Sequence, residues 1–217
     1  MNKQFLVIGA GRFGSSVACT LYKHGHDVMV VDTDELLVQQ ISNSVTHAVQ
    51  ANAVNEVSLR ALGVKNFDVV VVAIGNDMQA SIMVSILLIE LGARYVVAKA
   101  QTELHGKVLK KIGVNRVVFP ELDMGQKLAH SLVAHNIIDL IELSEDYSVV
   151  EVAAADEMVG QTLKDLNLRA RFGVNIIALR SKSGDTNISP AADDRVGAGD
   201  VLVAVGDNKS LKKMGWI

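Results

Sequence analysis

The chain has 217 residues, 49% of them hydrophobic, which is enough for one large domain or two small ones, each with a buried core. Its net charge of -3 excludes the basic excess of a nucleic-acid binder. A single cysteine, Cys19, excludes an intramolecular disulfide and suits a reducing compartment.

Aromatic residues make up only 4% of the chain, so the core has to be built from Val, Ile, Leu and Ala. The first apolar run is Phe5-Leu6-Val7-Ile8, with no leader expected ahead of it. A glycine-rich turn follows, then a helical pattern over residues 15–24. The run Val28-Met29-Val30-Val31 precedes a second helical pattern over residues 35–43. Val69-Val70-Val71-Val72-Ala73 and Tyr95-Val96-Val97-Ala98 are two more continuous apolar runs. Such runs suit strands buried on both faces, as in a parallel sheet covered by helices. Alternation of this kind predicts repeated βαβ units and a Rossmann-type, doubly wound α/β sheet. Between these runs, residues 80–91 form the most apolar stretch, interrupted by Ser81 and Ser85 and closed by Glu90. It falls short of the ~20 residues of a membrane span, so a soluble protein is expected, and its stripe reads as helix core or subunit interface. Val117-Val118-Phe119 predicts a further strand, ended by Pro120.

From Asp123 to Leu143 the spacing of Leu128, Leu132 and Val133 predicts a linking helix. The remainder predicts a small α+β domain. Val149–Ala153, Val174–Leu179 and Val201–Val205 read as strands, residues 160–166 as a short helix, and Ser183-Gly184-Asp185 and Gly197-Ala198-Gly199-Asp200 as turns. The expected organisation is a nucleotide-binding domain over residues 1–124, a linking helix over 125–143, and a ligand or dimerisation domain over 144–217.

Local chemistry concentrates at Gly9-Ala10-Gly11-Arg12-Phe13-Gly14, between a strand and a helical pattern, the context a dinucleotide fingerprint requires. Gly9 permits a tight turn, Gly11 lets backbone approach a pyrophosphate, and Gly14 allows close helix–strand packing. The plain alternative is a tight turn that binds nothing. Asp32 ends the second strand about 20 residues on, where a carboxylate can accept hydrogen bonds from ribose hydroxyls. No basic residue follows in Asp32-Thr33-Asp34-Glu35, which disfavours a 2′-phosphate, and hence NADP. NAD(H), ATP and ADP all stay open. Arg12 can reach a terminal phosphate, on its own or a neighbouring subunit, or stand as a surface charge. Gly75, Lys99 and Glu121 follow strands and so belong to the carboxyl edge where such sheets bind ligands. Glu121 can bind a hard cation that bridges phosphates, or be an ordinary surface carboxylate. His24, His26, His47, His105, His130 and His135 make no zinc-spaced cluster with cysteine. An NAD-dependent oxidoreductase would need an acid/base group facing the nicotinamide, and residues 144–217 hold no histidine.

Taken together, these residues resemble the RCK family, the regulators of potassium conductance, and within it the Ktr/Trk peripheral subunits of bacterial potassium uptake systems. The resemblance runs through Gly9–Gly14, Val31-Asp32, Ala51-Asn52-Ala53, Val72-Ala73-Ile74-Gly75, Ala98-Lys99-Ala100 and Phe119-Pro120-Glu121. It continues through Leu166-Asn167-Leu168, Gly173–Leu179, Pro190 and Gly199-Asp200-Val201-Leu202, and so covers nearly the whole chain. The resemblance implies a non-enzymatic cytoplasmic subunit, a homodimer assembling to an octameric ring on the inner face of a membrane-embedded potassium transporter. It implies ATP or ADP as the ligand that reshapes the ring, Mg²⁺ or Ca²⁺ accompanying ATP, and NAD(H) as a ligand of related Trk proteins. Under it, Asp32 binds ribose, Asn52 and Ala53 lie near adenine, and Ala73, Ile74, Gly75 and Lys99 complete the cleft. Arg12 meets the terminal phosphate across the dimer, and Glu121 helps bind the cation. Some relatives bind cyclic di-AMP between two C-terminal modules; by that analogy Arg169 faces phosphate and Asn175, Ile176 and Pro190 line the base pockets. One departure is that Asn52-Ala53-Val54 stands where the family often has an acid followed by Ala-Thr.

Overall fold

The computed structural model describes residues 2–133 and 137–217, and the chain divides into two compact units, Met1–Leu122 and Asp123–Ile217. In the first unit, β1 (Gln4–Ile8) leads into α1 (Arg12–Lys23), β2 (Asp27–Asp32) into α2 (Glu35–Ile41), and β3 (His47–Gln50) into α3 (Glu56–Leu62). Then β4 (Val69–Val72) leads into α4 (Met78–Glu90), β5 (Val96–Lys99) into α5 (Glu103–Lys111), and β6 (Arg116–Val118) into α6 (Pro120–Val133). The six strands are parallel in the order β3-β2-β1-β4-β5-β6. That is the doubly wound dinucleotide order, and its switch point lies between β1 and β4.

Alternation along the central strands explains why they read as unbroken apolar runs. Leu6, Ile8, Val70 and Val72 pack with Leu59, Val84, Leu88 and Leu109 on the face covered by α3, α4 and α5. Phe5, Val7 and Val71 pack with Ala18, Val28, Val30 and Ile41 on the face covered by α1 and α2. Each such Val, Leu, Ile or Phe side chain taken fully out of water contributes roughly 1.5–3 kcal/mol. Side-chain caps start four of the helices: Asp34 accepts from Leu36 and Leu37, Asn55 from Val57 and Ser58, Asp77 from Ala80, and Thr102 from His105. Helix α4 buries Ser81, Val84, Ser85 and Leu88; Met83 stands exposed on the opposite side, and Met78 is exposed at the helix start.

In the second unit, β7 (Ile137–Glu142) and β8 (Tyr147–Ala153) precede two short helices, α7 (Leu163–Leu166) and α8 (Leu168–Phe172). Strands β9 (Asn175–Arg180), β10 (Thr186–Asn187) and β11 (Val201–Asp207) and helix α9 (Asn208–Lys213) complete it. The sheet is antiparallel, in the order β10-β9-β11-β8-β7. Val150, Val152, Leu179, Leu202 and Ala204 on its inner face pack against Leu166, Leu168, Leu211 and Trp216.

One sequence reading is corrected. The linking helix expected over 125–143 ends at Val133, and Ile137–Glu142 is strand β7, with Ile141 opposite Val149. The isoleucine-rich run Ile137-Ile138-Asp139-Leu140-Ile141 finds a strand partner in β8, and that pairing overrides any continuation of the helical spacing; residues 134–136 lie outside the described residues. The strand ahead of Pro120 ends at Val118, and Pro120 itself opens α6, where its missing N–H costs nothing. Among the described residues no helix is long and apolar enough to cross a membrane.

Candidate functional site

Ile8 and Val72 are register neighbours at the carboxyl ends of β1 and β4, so the glycine loop and Ala73-Ile74-Gly75 flank the switch point. Gly9 adopts φ +105°, and a Cβ there would stand 3.0 Å from the carbonyl carbon of Ala73. A Cβ on Gly14 would overlap the carbonyl oxygen of Gly9. A Cβ on Gly11 would meet nothing within 4 Å. Gly9 and Gly14 are thus required by the protein's own packing, whereas Gly11 borders open space.

The loop is tied down from three sides. Gly9 N–H donates to the Val31 carbonyl at 2.8 Å, Ala73 N–H donates to the Ile8 carbonyl at 2.7 Å, and the Ser15 hydroxyl donates to the Ala10 carbonyl at 2.6 Å. Asp32 does more than end β2. Its Oδ2 accepts the Ala10 N–H at 2.6 Å and its Oδ1 the Asp34 N–H at 3.0 Å. The Thr33 hydroxyl donates a long bond of 3.5 Å to the same Oδ1, and of the carboxylate's roughly four acceptor positions capacity for a ribose hydroxyl remains. Neither the Ala10 contact nor the role of Ser15 was part of the sequence reading. The hydroxyl directly after Gly14 is the signal that could have found the latter.

Helix α1 starts at Gly11 with no side-chain hydrogen bond, unlike α2–α5. Its first-turn N–H groups and positive dipole end face the loop, the arrangement that receives phosphate. With open space over Gly11 and a half-buried carboxylate at Asp32, the residues fit the phosphates and ribose of a nucleotide. Asn52 and Ala53 follow β3, held to the end of β2 by the Ala51 N–H, which donates to the Asp32 carbonyl at 2.9 Å. Asn52 is exposed and accepts the Val54 N–H, and Ala53 is buried.

Across the switch point, Lys99 ends β5 with only 8% of its surface exposed. Its Nζ donates to Glu121 Oε1 at 2.5 Å and lies 5.9 Å from the centroid of the Phe13 ring. A Cβ on Gly75 would stand 3.4 Å from the same Nζ, which places the ammonium against the loop after β4. The Lys99 hydrogen bond holds the Glu121 carboxyl below the usual carboxylate range, and the charges of Lys99 and exposed Arg12 act in the same direction. The structure therefore gathers Gly9, Arg12, Phe13, Gly14, Asp32, Ala73, Ile74, Gly75, Lys99 and Glu121 along one edge of the sheet. Among the described residues no group of three or more His, Cys, Asp or Glu side chains is placed to hold a metal. His135 lies outside the described residues, and so does the side chain of His130.

The residues singled out in the second unit are distributed differently. Arg169 is exposed on α8, Asn175 is exposed at the start of β9, and Ile176 and Pro190 are half-buried.

Fold and site together define a Rossmann nucleotide-binding domain followed by a separate antiparallel module. The family models for the TrkA-N domain and the TrkA-C domain match residues 5–120 and 147–215. The chain is 42% identical over 213 residues to Ktr system potassium uptake protein C of Bacillus subtilis (strain 168), covering 98% of this chain and 96% of that one. To Ktr system potassium uptake protein A of the same organism it is 44% identical over 212 residues, covering 98% and 95%. Among solved structures, the GsuK channel bound to NAD matches with a TM-score of 0.53 and 24% identity, over 98% of this chain and 38% of that one, a likeness of fold. The chain belongs to the RCK family of potassium uptake proteins that join a TrkA-N domain to a TrkA-C domain.

Proposed function

We propose that the chain is the cytoplasmic gating subunit of a membrane-embedded potassium transporter, a homodimer assembling to an octameric ring that takes different shapes with ATP and ADP. The observation that carries this reading is the uncapped start of α1 beside Asp32, whose carboxylate is already fixed by the Ala10 N–H. The names of the Bacillus relatives supply the transport context.

In this reading Asp32 orients the ribose, the α1 N-terminus and Gly11 receive the phosphates, and Asn52 and Ala53 border the base. ATP differs from ADP by a terminal phosphate that can carry Mg²⁺ or Ca²⁺, with Glu121 as carboxylate ligand and Arg12 as a cationic partner. Ligands shift a ring only by their differential affinity for its states, and that phosphate supplies the difference. The exposed Met83 of α4 offers an apolar contact point for the ring. Cyclic di-AMP binds the second unit at Arg169, Asn175, Ile176 and Pro190 and inhibits uptake. The subunit sits on the inner face of the membrane through its partner and catalyses no reaction.

A second reading, an NAD(H)-responsive regulator, draws on the same carboxylate, since Asp32 has no basic neighbour to favour a 2′-phosphate. Calorimetric titration with ATP, ADP, NADH and NADP, with and without Mg²⁺ or Ca²⁺, separates the two. Tight ATP and ADP binding is expected, cation-sensitive for ATP alone and weakened about 10- to 100-fold in Asp32→Ala. NADH binding well above both adenine nucleotides would sink the first reading and install the second.

A further inference from the structure

We propose that the Lys99–Glu121 ion pair is a latch on the first turn of α6, opened by the anionic end of the bound ligand, with Phe119 seated against Gly106 as its pivot. The proposal rests on the nucleotide-binding reading and adds how binding at the cleft would reach α6.

The two partners are unequal. Lys99 is nearly buried at the end of a central strand, while the Glu121 side chain is 70% exposed. A buried ammonium without a counter-charge is costly, so Lys99 needs an anion beside it at all times. An exposed carboxylate loses little on release, because water resolvates it. The Lys99 ammonium stands against the Gly75 loop, on the same edge as the uncapped α1 and Arg12. Phosphate groups at that edge compete with Glu121 for one cation. Without ligand, Glu121 is the counter-charge; with an anion present, Glu121 is displaced.

What displacement does follows from position. Glu121 is the second residue of α6, directly after Pro120, and α6 continues past Leu122, where the second unit begins. Phe119, one residue before the helix, presses its ring onto α5, for a Cβ on Gly106 would overlap the ring edge. That contact carries no charge, so it persists when the ion pair opens. The start of α6 then has one fixed point and one released point. A free Glu121 near the helix N-terminus still complements the dipole, so release loosens the first turns of α6 while the helix beyond them stays formed. A divalent cation accepts oxygens from a carboxylate and phosphates together and would relieve the competition. Glu121 thereby distinguishes an anion that arrives with a cation from one that arrives without.

The test compares full-length wild type with Glu121→Gln and Lys99→Gln, by titration with ADP and inorganic pyrophosphate in EDTA and by backbone hydrogen exchange over residues 120–128. Without divalent cations, E121Q should bind both probes about 5-fold more tightly, because the internal competitor is gone. Exchange in the α6 segment should rise in wild type on adding ADP, and should already be raised in ligand-free E121Q and K99Q. K99Q should also bind ADP more weakly. Unchanged metal-free affinity in E121Q overturns the latch, as does α6 exchange that responds to neither substitution nor ligand. If neither ADP, ATP nor pyrophosphate binds wild type, the nucleotide reading falls instead. The ligand-free comparison of wild type with E121Q still decides whether the ion pair holds α6.

Discussion

The two units of this chain build their candidate sites by opposite means. In the first, a parallel sheet delivers every strand end to one edge, and loops after β1, β2, β4, β5 and β6 converge there with little help from side-chain design. The glycine loop, Asp32 and Lys99 are tied to their neighbours by internal hydrogen bonds and are in place within a single copy. In the second, antiparallel strands return the chain to both ends of the sheet, and Arg169 and Asn175 stand exposed on different elements. A parallel sheet makes a cleft from one chain; in the antiparallel module the proposed ligand residues stand on the outside, as the proposed pairing of two copies around a ligand would need. The first unit should therefore be sensitive to internal packing, and the second to the loss of single exposed side chains.

The sharpest way to break that comparison is at the glycines. Gly14→Ala should cost roughly 2–3 kcal/mol of stability, since its Cβ would overlap the Gly9 carbonyl and the loop must shift. Gly11→Ala should cost far less stability than Gly14→Ala, because nothing stands within 4 Å of its Cβ, yet weaken ADP about tenfold by occupying the space phosphate needs. Thermal melts and calorimetry on the two variants check both halves. If G11A destabilises and binds normally, the loop is a packing device and not a cradle.

Next in size is Arg169→Ala. If this exposed cation faces phosphate as proposed, its loss should weaken cyclic di-AMP about tenfold while ADP affinity stays constant. A parallel drop in both affinities would erase the separation between the units, and no change in either would remove Arg169 from the second site.

How much of this is legible in the sequence divides along the same line. Continuous apolar runs mark β1, β2, β4 and β5 because both faces of those strands are buried. The short edge strand His47–Gln50 is half-exposed and carries no such run, so it passes unread. Strand β7 reads as helix because its partner β8 lies further along the chain, and pairing is invisible to local spacing. The glycine loop and Asp32 are legible because their chemistry is local. The Ala10 contact to Asp32, the Lys99–Glu121 pair and the seat of Phe119 on Gly106 join residues 13 to 22 positions apart, and only the fold brings them together.

The smallest expected effect concerns acid. His105 on α5 is fully buried, its Nδ1 accepting the Gln101 N–H while its Nε2 has no partner among the described residues. Burial lowers its pKa below the ordinary histidine value, so the folded state resists the proton that the unfolded chain accepts. The stability this contributes is present above about pH 6.5 and is lost as pH falls below it, where the unfolded state binds more protons. In the second unit the shifted groups are Asp165 and Asp207, held low by cap hydrogen bonds from Thr162 and Ser210. Their contribution persists above the usual carboxylate range and is lost only in stronger acid. Between pH 7.5 and 5.5 the first unit should therefore weaken while the second does not. Trp216, the single tryptophan, lies in the core of the second unit and reports it separately. Urea unfolding followed by Trp216 fluorescence should keep its midpoint across that range, while the midpoint by hydrogen exchange in α5 should fall. His105→Leu should abolish the fall. A wild-type slope that survives this substitution would assign the acid response to another group.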